Sequence, residues 1–306
     1  MTQLTVIILT CNEAMHIARA ILSVRGVADR ILVIDSGSTD GTTQIAARHG
    51  ATVLRHAWVN HAVQFNWALD QITDTPGWVL RLDADEIMTQ TLADEIAAGL
   101  PEDVDGYYIR RGIKFMGELV RHGGICRTPT LRLFRNGRGR CEALWMDEHI
   151  VVSGPTAHLC GQVIDDNRHP LDWWVHKHNG YASREVVDVL NAEFGFLPCA
   201  GVLPGHGRAS AKRWVKRHIY ARLPAGLRAG GYFLYRYVLR LGFLDGRRAR
   251  SFHVLQGFWY RYLVDAKLGE VRRYMAANGA SPVKAIKDVL GIDVIVPAPA
   301  KRVLVA

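Results

Sequence analysis

The apolar positions of the first hundred residues switch between two periods. Leu4-Thr5-Val6-Ile7-Ile8-Leu9 is almost unbroken apolar and β-branched, the pattern of a strand buried on both faces. Ala14 to Val24 follows, with Ile17, Ala18, Ile21 and Leu22 on one helical face. The alternation continues as strand Arg30 to Asp35, helix Asp40 to His49, strand Ala51 to Arg55, helix His61 to Gln71 and strand Trp78 to Leu82. Ser38, Thr39 or Asp40 can cap the second helix, because their oxygens accept from its free N–H groups. Strands and helices alternating through short links predict an α/β fold: a parallel sheet with helices on both faces. Ligands of such sheets sit beyond the carboxyl ends of the strands.

The pattern then changes. Strand-like pieces at Gly106 to Arg111, Thr130 to Phe134 and His149 to Val152 are broken by Gly and Pro, and Leu171 to Phe196 reads as a long helix. Pro198, Gly201, Pro204, Gly205 and Gly207 predict a linker. Helices are expected over 210–222, 226–243, 247–276 and Pro282 to Leu290, while Val294 to Ala306 is apolar, carries two prolines and fits no element. The division this implies is a domain over 1–197, a helical region over 198–278 and a tail over 279–306.

Composition narrows the class. Of 306 residues 49% are hydrophobic and 22% charged, which is globular material. Five cysteines without a CxxC pair make neither a disulfide framework nor a zinc module; they read as small apolar fillers in a reduced compartment. The run Leu4 to Leu9 is too short and lacks the basic flank of a secretory signal, and no apolar stretch reaches the roughly 18 residues of a spanning helix.

The net charge of +9 is uneven: Ala200 to Met275 holds sixteen Lys and Arg against three acids. There Arg236 and Arg240 sit at i and i+4 in an apolar run, and Phe258, Trp259, Tyr260 and Tyr262 follow. Aromatics mixed with arginines, on helices too charged to span, fit a surface lying on an anionic membrane. An ordinary helical subdomain or oligomer interface would share that pattern. No helix-turn-helix, RNP or zinc motif supports nucleic acid as a partner.

Candidate chemistry gathers at the strand ends. The fourth strand runs into Asp83-Ala84-Asp85-Glu86, where Asp83 and Asp85 share one side of an extended chain. Two hard oxygen ligands there suit Mg²⁺ or Mn²⁺, although a solvated acidic turn has the same residues. Asp35 ends the second strand, where it can accept from a base N–H or a ribose hydroxyl; an Asx turn would explain Asp40 and Gly41 but leaves Asp35 free. Thr10-Cys11-Asn12-Glu13 closes the first strand.

The runs "TVIILTCNEA", "VIDSGSTDGT" and "LRLDADE", in this order and spacing, resemble those of inverting family 2 glycosyltransferases of the GT-A fold. The resemblance covers the first 110 residues well and continues more loosely to about residue 180. It implies a Rossmann-like mixed sheet in a catalytic domain over 1–197. It also implies that Thr10, Asn12 and Glu13 bind nucleotide, that Asp35 meets the base, and that Gln64 and Asn66 lie on a polar helix facing the nucleotide. Family members often carry a cation beside that Asn; here it is Phe65. Asp83 then lies toward the ribose, and Asp85 holds the divalent ion on the diphosphate, with Asp83 and His149 as further candidate ligands.

An inverting transfer also needs a carboxylate base. Asp147-Glu148 departs from the family's usual Glu-Asp or His-Glu; by position Glu148 is the base and Asp147 its rival. Lys177, in His176-Lys177-His178-Asn179, can reach a diphosphate as a point charge, and Arg135 in "TLRLFRN" reads as structural. The segments "YFLYRYVLRLGFLDG" and "FHVLQGFWYRYLVDAKLGE" further resemble the C-terminal part of bacterial lipopolysaccharide-core and exopolysaccharide glycosyltransferases.

The implied function is metal-dependent transfer of a sugar from a nucleotide-sugar, a UDP-hexose, to a lipid-linked or lipopolysaccharide-core glycan. The implied place is cytoplasmic, peripheral on the inner face of the bacterial inner membrane. A nucleotidyltransferase would need a Gly-rich basic loop after the first strand, which is absent, and an inactive adaptor would not need Asp35, Asp83, Asp85 and Glu148 intact. The apolar end of the chain leaves a homo-oligomer open.

Overall fold

Alternation along β1 (Leu4–Thr10) sets the layers. Leu4, Val6 and Ile8 face one side of the sheet, where Ile17, Ile21 and Val24 of α1 (Ile17–Val24) pack on them, while Ile7 joins the core of the other side. The computed structural model describes residues 3–72, 76–124, 129–142, 148–197 and 225–294. Asp147, the expected linker, the helix expected over 210–222 and the chain beyond Val294 lie outside those residues.

β2 (Arg30–Asp35), α2 (Thr42–Arg48), β3 (Thr52–Arg55), α3 (His61–Asp70) and β4 (Trp78–Asp83) follow as the periodicity predicts. Then come β5 (Glu86–Met88), α4 (Gln90–Ala97), β6 (Gly106–Phe115), β7 (Glu118–Val120), β8 (Thr130–Arg135), β9 (Gly139–Cys141), β10 (Ile150–Val152) and β11 (Thr156–Asp165). The main sheet runs β3-β2-β1-β4-β8-β6-β11-β5, with β7 on the side of β6, and β9 pairs with β10 apart from it.

The first four strands are parallel, but β8 runs antiparallel to both β4 and β6, so the sheet is mixed rather than parallel throughout. The change follows from the links. β6 turns straight into β7 through Met116 and Gly117, both at positive φ, a hairpin with no crossover helix. α1 and α4 cover one face around Ile21 and Leu92, and α3 covers the other with Phe65 and Leu69 against Ile34 and Phe134.

The helical part begins with α5 (Leu171–Phe194). α6 (Ala225–Leu234) continues into a π-helical segment, Tyr235–Leu239, then a 3₁₀ turn at Gly242–Leu244. α7 (Arg247–Val254) continues through a second π segment, Leu255–Trp259, into α8 (Tyr260–Asn278), and α9 (Pro282–Leu290) closes the described chain. Val186 and Leu190 of α5 share one core with Val264 and Leu268 of α8 and Ile286 of α9. The end of the chain up to Val294 therefore packs at home.

These helices dock on the sheet at a few points. Phe115, Val120, Trp174, Ala249 and Phe252 form one apolar cluster across the seam. Gly123 and Gly124 turn at φ +74° and +77°; Gly123 N–H donates to the Arg240 carbonyl at 2.9 Å, and a Cβ on Gly123 would run into the His253 ring. Asp245 clasps both parts: it accepts from the backbone N–H of Arg121 and lies 2.7 Å from the rings of His122 and His253.

Two expectations need correction. Arg236 does not face outward: it is 4% exposed and its Nε donates to the Gly123 carbonyl at 3.1 Å. Spacing of i and i+4 puts two cations on one helix face without saying which way that face turns. The outward side instead carries Leu234, Val238, Leu239, Leu241, Phe243 and Leu244. Nor are all the cysteines fillers, since Cys11 and Cys160 are exposed and Cys141 is buried. Among the described residues, no helix is long and apolar enough to cross a membrane.

Candidate active site

Register brings the predicted motifs side by side. Thr10 pairs with Asp35 across β1 and β2, and Leu9 pairs with Asp83 across β1 and β4, so three parallel strands end at one level. The loops beyond them are laced together. Asn12, at φ 55°, donates its N–H to Ser38 Oγ at 2.8 Å and accepts from Thr39 N–H with its side chain. Glu13 N–H donates to Thr42 Oγ1 at 2.8 Å.

Asp35 is fully buried and accepts from the N–H groups of Gly37 and Ser38. The turn at Gly37 and Ser38 is therefore built on Asp35. Thr10 Oγ1 and Gln64 Oε1 are buried without a hydrogen-bond partner among the described residues, leaving two unsatisfied oxygens at this end of the sheet. Asn66 serves the fold: its carboxamide donates to the Cys141 carbonyl and accepts from Cys141 N–H.

Asp83 stands at the start of a charged cluster. Burial opposes its ionisation, but Arg81 at 3.7 Å, Arg132 at 3.8 Å and His61 at 4.0 Å outweigh it and hold the carboxyl well below the usual range. Arg132 is fixed by a fork onto fully buried Glu86, at 2.5 and 2.9 Å. Removing one partner of such a pair strands a buried charge and costs about 3–5 kcal/mol.

Glu148 joins this cluster from across the chain. Its Oε1 lies 3.2 Å from Arg81 Nη2 and 3.1 Å from His61 Nδ1, with the side chain 10% exposed. Burial pushes the Glu148 carboxyl above its ordinary value, with Arg81 working against that push. Burial and then Arg81 push His61 down to about 3, so His61 is neutral near pH 7. His149 does not join them. Its side chain is 56% exposed and its Nδ1 lies 3.5 Å from Glu142, because neighbouring residues in extended chain point opposite ways. His149, expected as a metal ligand, is thus placed apart from the Asp83–Glu148 cluster.

Asp85 turns the other way, into a cavity of about 750 Å³ shared with Arg111, Asp165, Asn167, His169 and Lys177. Its Oδ2 accepts from Asn167 Nδ2 at 2.8 Å. Asp165 pairs with Arg111 at 2.5 Å, and burial raises its carboxyl above the usual range against that pull. Lys177 Nζ lies 4.6 Å from the centre of the Trp173 ring. Burial works against its charge, but Tyr181 and the carboxylates of Asp85, Glu13 and Asp165 hold the ammonium on.

Behind these residues, Glu13, His16 and His169 bring their ligand atoms within 4.8 Å of one another. His16 is already used: its Nε2 accepts from Arg168 N–H at 2.9 Å, so its Nδ1 carries the proton and donates to Glu13 at 2.5 Å. His169 Nε2 is buried without a hydrogen-bond partner among the described residues, 3.7 Å from Glu13, and the ring stacks on Trp173 at 3.9 Å. Burial keeps His169 neutral, as a ligand imidazole must be. A carboxylate oxygen at Asp85 and an unpaired nitrogen at His169, lining one cavity, fit a divalent ion that accepts mixed oxygen and nitrogen donors.

His61, Arg81, Asp165 and His169 are the site residues that sequence reasoning missed. The run Asp165-Asp166-Asn167-Arg168-His169 at a strand end was the available signal for two of them. His61 and Arg81 offered none: His61 is one of several polar residues on α3, and Arg81 is a lone cation within the apolar strand β4.

The family model described as Glycosyl transferase family 2 matches residues 5–159. An uncharacterized glycosyltransferase of Rickettsia felis is 41% identical over 96 residues, which is 31% of this chain and 33% of that protein. A second, RP128 of Rickettsia prowazekii, matches over the same length at 41%. The chain thus matches about a third of the length of these relatives. The lipopolysaccharide core biosynthesis glycosyltransferase LpsC of Rhizobium meliloti is 28% identical over 190 residues, 59% of this chain and 69% of LpsC. Among solved structures, glucosyl-3-phosphoglycerate synthase from Mycobacterium tuberculosis is similar with a TM-score of 0.40 and 18% identity, over 65% of this chain and 82% of that one.

Proposed function

The chain belongs to glycosyl transferase family 2 and has its GT-A fold, and from that premise we propose an inverting transfer from a nucleotide-sugar, a UDP-hexose, to a saccharide acceptor. One observation carries the reading. Asp83 and Asp85 leave the same strand end in two directions, Asp83 toward the buried carboxylate Glu148 and Asp85 into the cavity with His169 and Lys177.

In this reading the nucleoside lies over the ends of β1 and β2. Thr10 and Gln64 offer it their unsatisfied oxygens there, and Asp35 holds the Gly37–Ser38 turn beneath it. Asn12 and Glu13 shape the same edge. Lys177 meets the diphosphate as a fixed positive charge. A Mg²⁺ or Mn²⁺ ion held by Asp85 and His169 would neutralise charge on the departing diphosphate. Glu148 takes the proton of the acceptor hydroxyl as that oxygen attacks the anomeric carbon; the bond to the diphosphate breaks and configuration inverts. Its raised pKa favours this role, because a carboxylate that binds protons more tightly is the stronger base.

The likeness to LpsC and the resemblance of the C-terminal segments support a lipopolysaccharide-core or lipid-linked acceptor. A panel of UDP-, GDP- and TDP-hexoses tests the transfer: release of one nucleoside diphosphate, with inversion read by proton NMR of the product, is the expected result. No binding or turnover with any donor would sink it.

We also propose that the protein lies on the cytoplasmic face of the inner membrane through the outward side of its helical part. Leu239 is 73% exposed and Leu244 55%, with exposed Arg247 and Arg250 nearby in sequence. Liposomes containing phosphatidylglycerol should float the full chain, and the double change Leu239→Asp, Leu244→Asp should lower the bound fraction about tenfold. Equal flotation of the two proteins would refute the contact.

A further inference from the structure

The cavity beyond Asp85 extends to a far wall that is chemically distinct. Thr10, Asn12, Asp35, Asp83 and Glu148 are not part of its lining, so in this reading the nucleoside and the attacking hydroxyl lie outside it and the cavity takes a further part of the acceptor. At about 750 Å³ the cavity falls within the usual range for a whole ligand. Of the lining cations, Arg111 pairs with Asp165 at 2.5 Å and with Glu86 at 3.0 Å, Arg261 with Glu185 at 2.8 Å, and Lys114 lies 3.7 Å from Asp166.

The far wall comes from the helical part. Tyr232, Tyr235, Arg236 and Arg240 reach it from α6 and the π segment that follows, and Gln256 reaches it from the second π segment. Such segments add a residue to one turn and re-aim side chains, and they recur at functional sites. Arg240 stands over the Gly124 turn, where a Cβ would come within 3.1 Å of its guanidinium. Among the described residues its side-chain hydrogen bond is to the Tyr235 hydroxyl at 3.4 Å, with no carboxylate in ion-pair range. Gln256 Oε1 is buried there without a hydrogen-bond partner among the described residues.

Resting on the transferase reading, we infer that this wall is an acceptor subsite for an anionic saccharide. Arg240 receives a phosphate or carboxylate, Gln256 accepts from a sugar hydroxyl, and the rings of Trp173, Tyr232 and Tyr235 cover the apolar face of the sugar. A neutral acceptor would leave Arg240 without a counter-charge.

Trp173 and Trp174 line the cavity, so binding to the full chain can be read by intrinsic fluorescence without any donor. The probes are glucose 6-phosphate, glucuronate and glucose. At least one of the two anions should bind about tenfold more tightly than glucose, the difference worth one charge-assisted contact. Which anion wins identifies phosphate or carboxylate as the natural group. Arg240→Gln should erase the preference, Arg247→Gln outside the cavity should keep it, and Gln256→Leu should weaken all three probes alike. Glucose binding as well as both anions, no binding by either anion, or a preference that survives Arg240→Gln would overturn the inference. Since no nucleotide-sugar is present, failure of the donor panel with the anion preference intact would sink the transfer reaction and not this subsite.

Discussion

Glu148→Gln is expected to lower kcat by about 10²- to 10⁴-fold, the usual worth of a general base, while donor binding persists. Gln keeps the shape and can still accept from Arg81, whose charge Asp83 continues to balance. The side chain no longer takes a proton. The pH dependence follows from the same group. Burial raises the Glu148 pKa above its ordinary 4.5, and a base must be ionised to act. In the unmodified enzyme the rate should therefore fall as pH drops through that raised value, an acid limb displaced upward. In Glu148→Gln that limb should vanish from the residual rate. A variant that keeps more than a tenth of kcat would pass the role to Asp147.

Asp85→Asn should cost as much or more, by a different route. Losing a carboxylate ligand should weaken Mn²⁺ binding by at least the 10- to 100-fold seen for lesser changes around metal sites, with a corresponding loss of transfer at fixed metal. Direct Mn²⁺ binding by electron paramagnetic resonance separates this from a folding defect. The His169→Gln variant should show the same direction, because His169 lines the same cavity and its Nε2 has no hydrogen-bond partner among the described residues. Unchanged Mn²⁺ affinity in Asp85→Asn would remove the metal role.

The comparison of sequence with structure divides along physical lines. Three of the four parallel strands were legible as short apolar runs bounded by turn residues, and Asp35 and Asp83 then fall at strand ends by counting; β3, exposed at Thr52 and Arg55, was placed by the strand–helix alternation. The antiparallel second half was legible only through the mixed sheet that the family resemblance implies, because a hairpin such as Met116–Gly117 lacks the Asn-Gly signal. Glu148 was found by its position in a motif, but its partners His61 and Arg81 lie 87 and 67 residues away, and proximity at that range is set by packing alone. Arg236 and Arg240 were legible as cations on one face; which way that face turns depends on the Gly123–Gly124 docking turn. The π segments leave no periodic trace, since one extra residue in a helical turn only shifts the phase.

That docking turn carries an evolutionary consequence. The stretch matched by the family model ends at residue 159, before the helices that build the far wall begin. Inheritance of the strand-end motifs, from Thr10 to Glu148, therefore says little about that wall, and His169 and Lys177 also lie beyond the matched stretch. Two descendants alike over this stretch can diverge in acceptor by drift in their helices alone, provided Gly123 keeps room for the ring of His253. A chimera that exchanges the helices between such descendants, with the glycine pair retained, would be the natural unit for moving one acceptor preference onto another sheet.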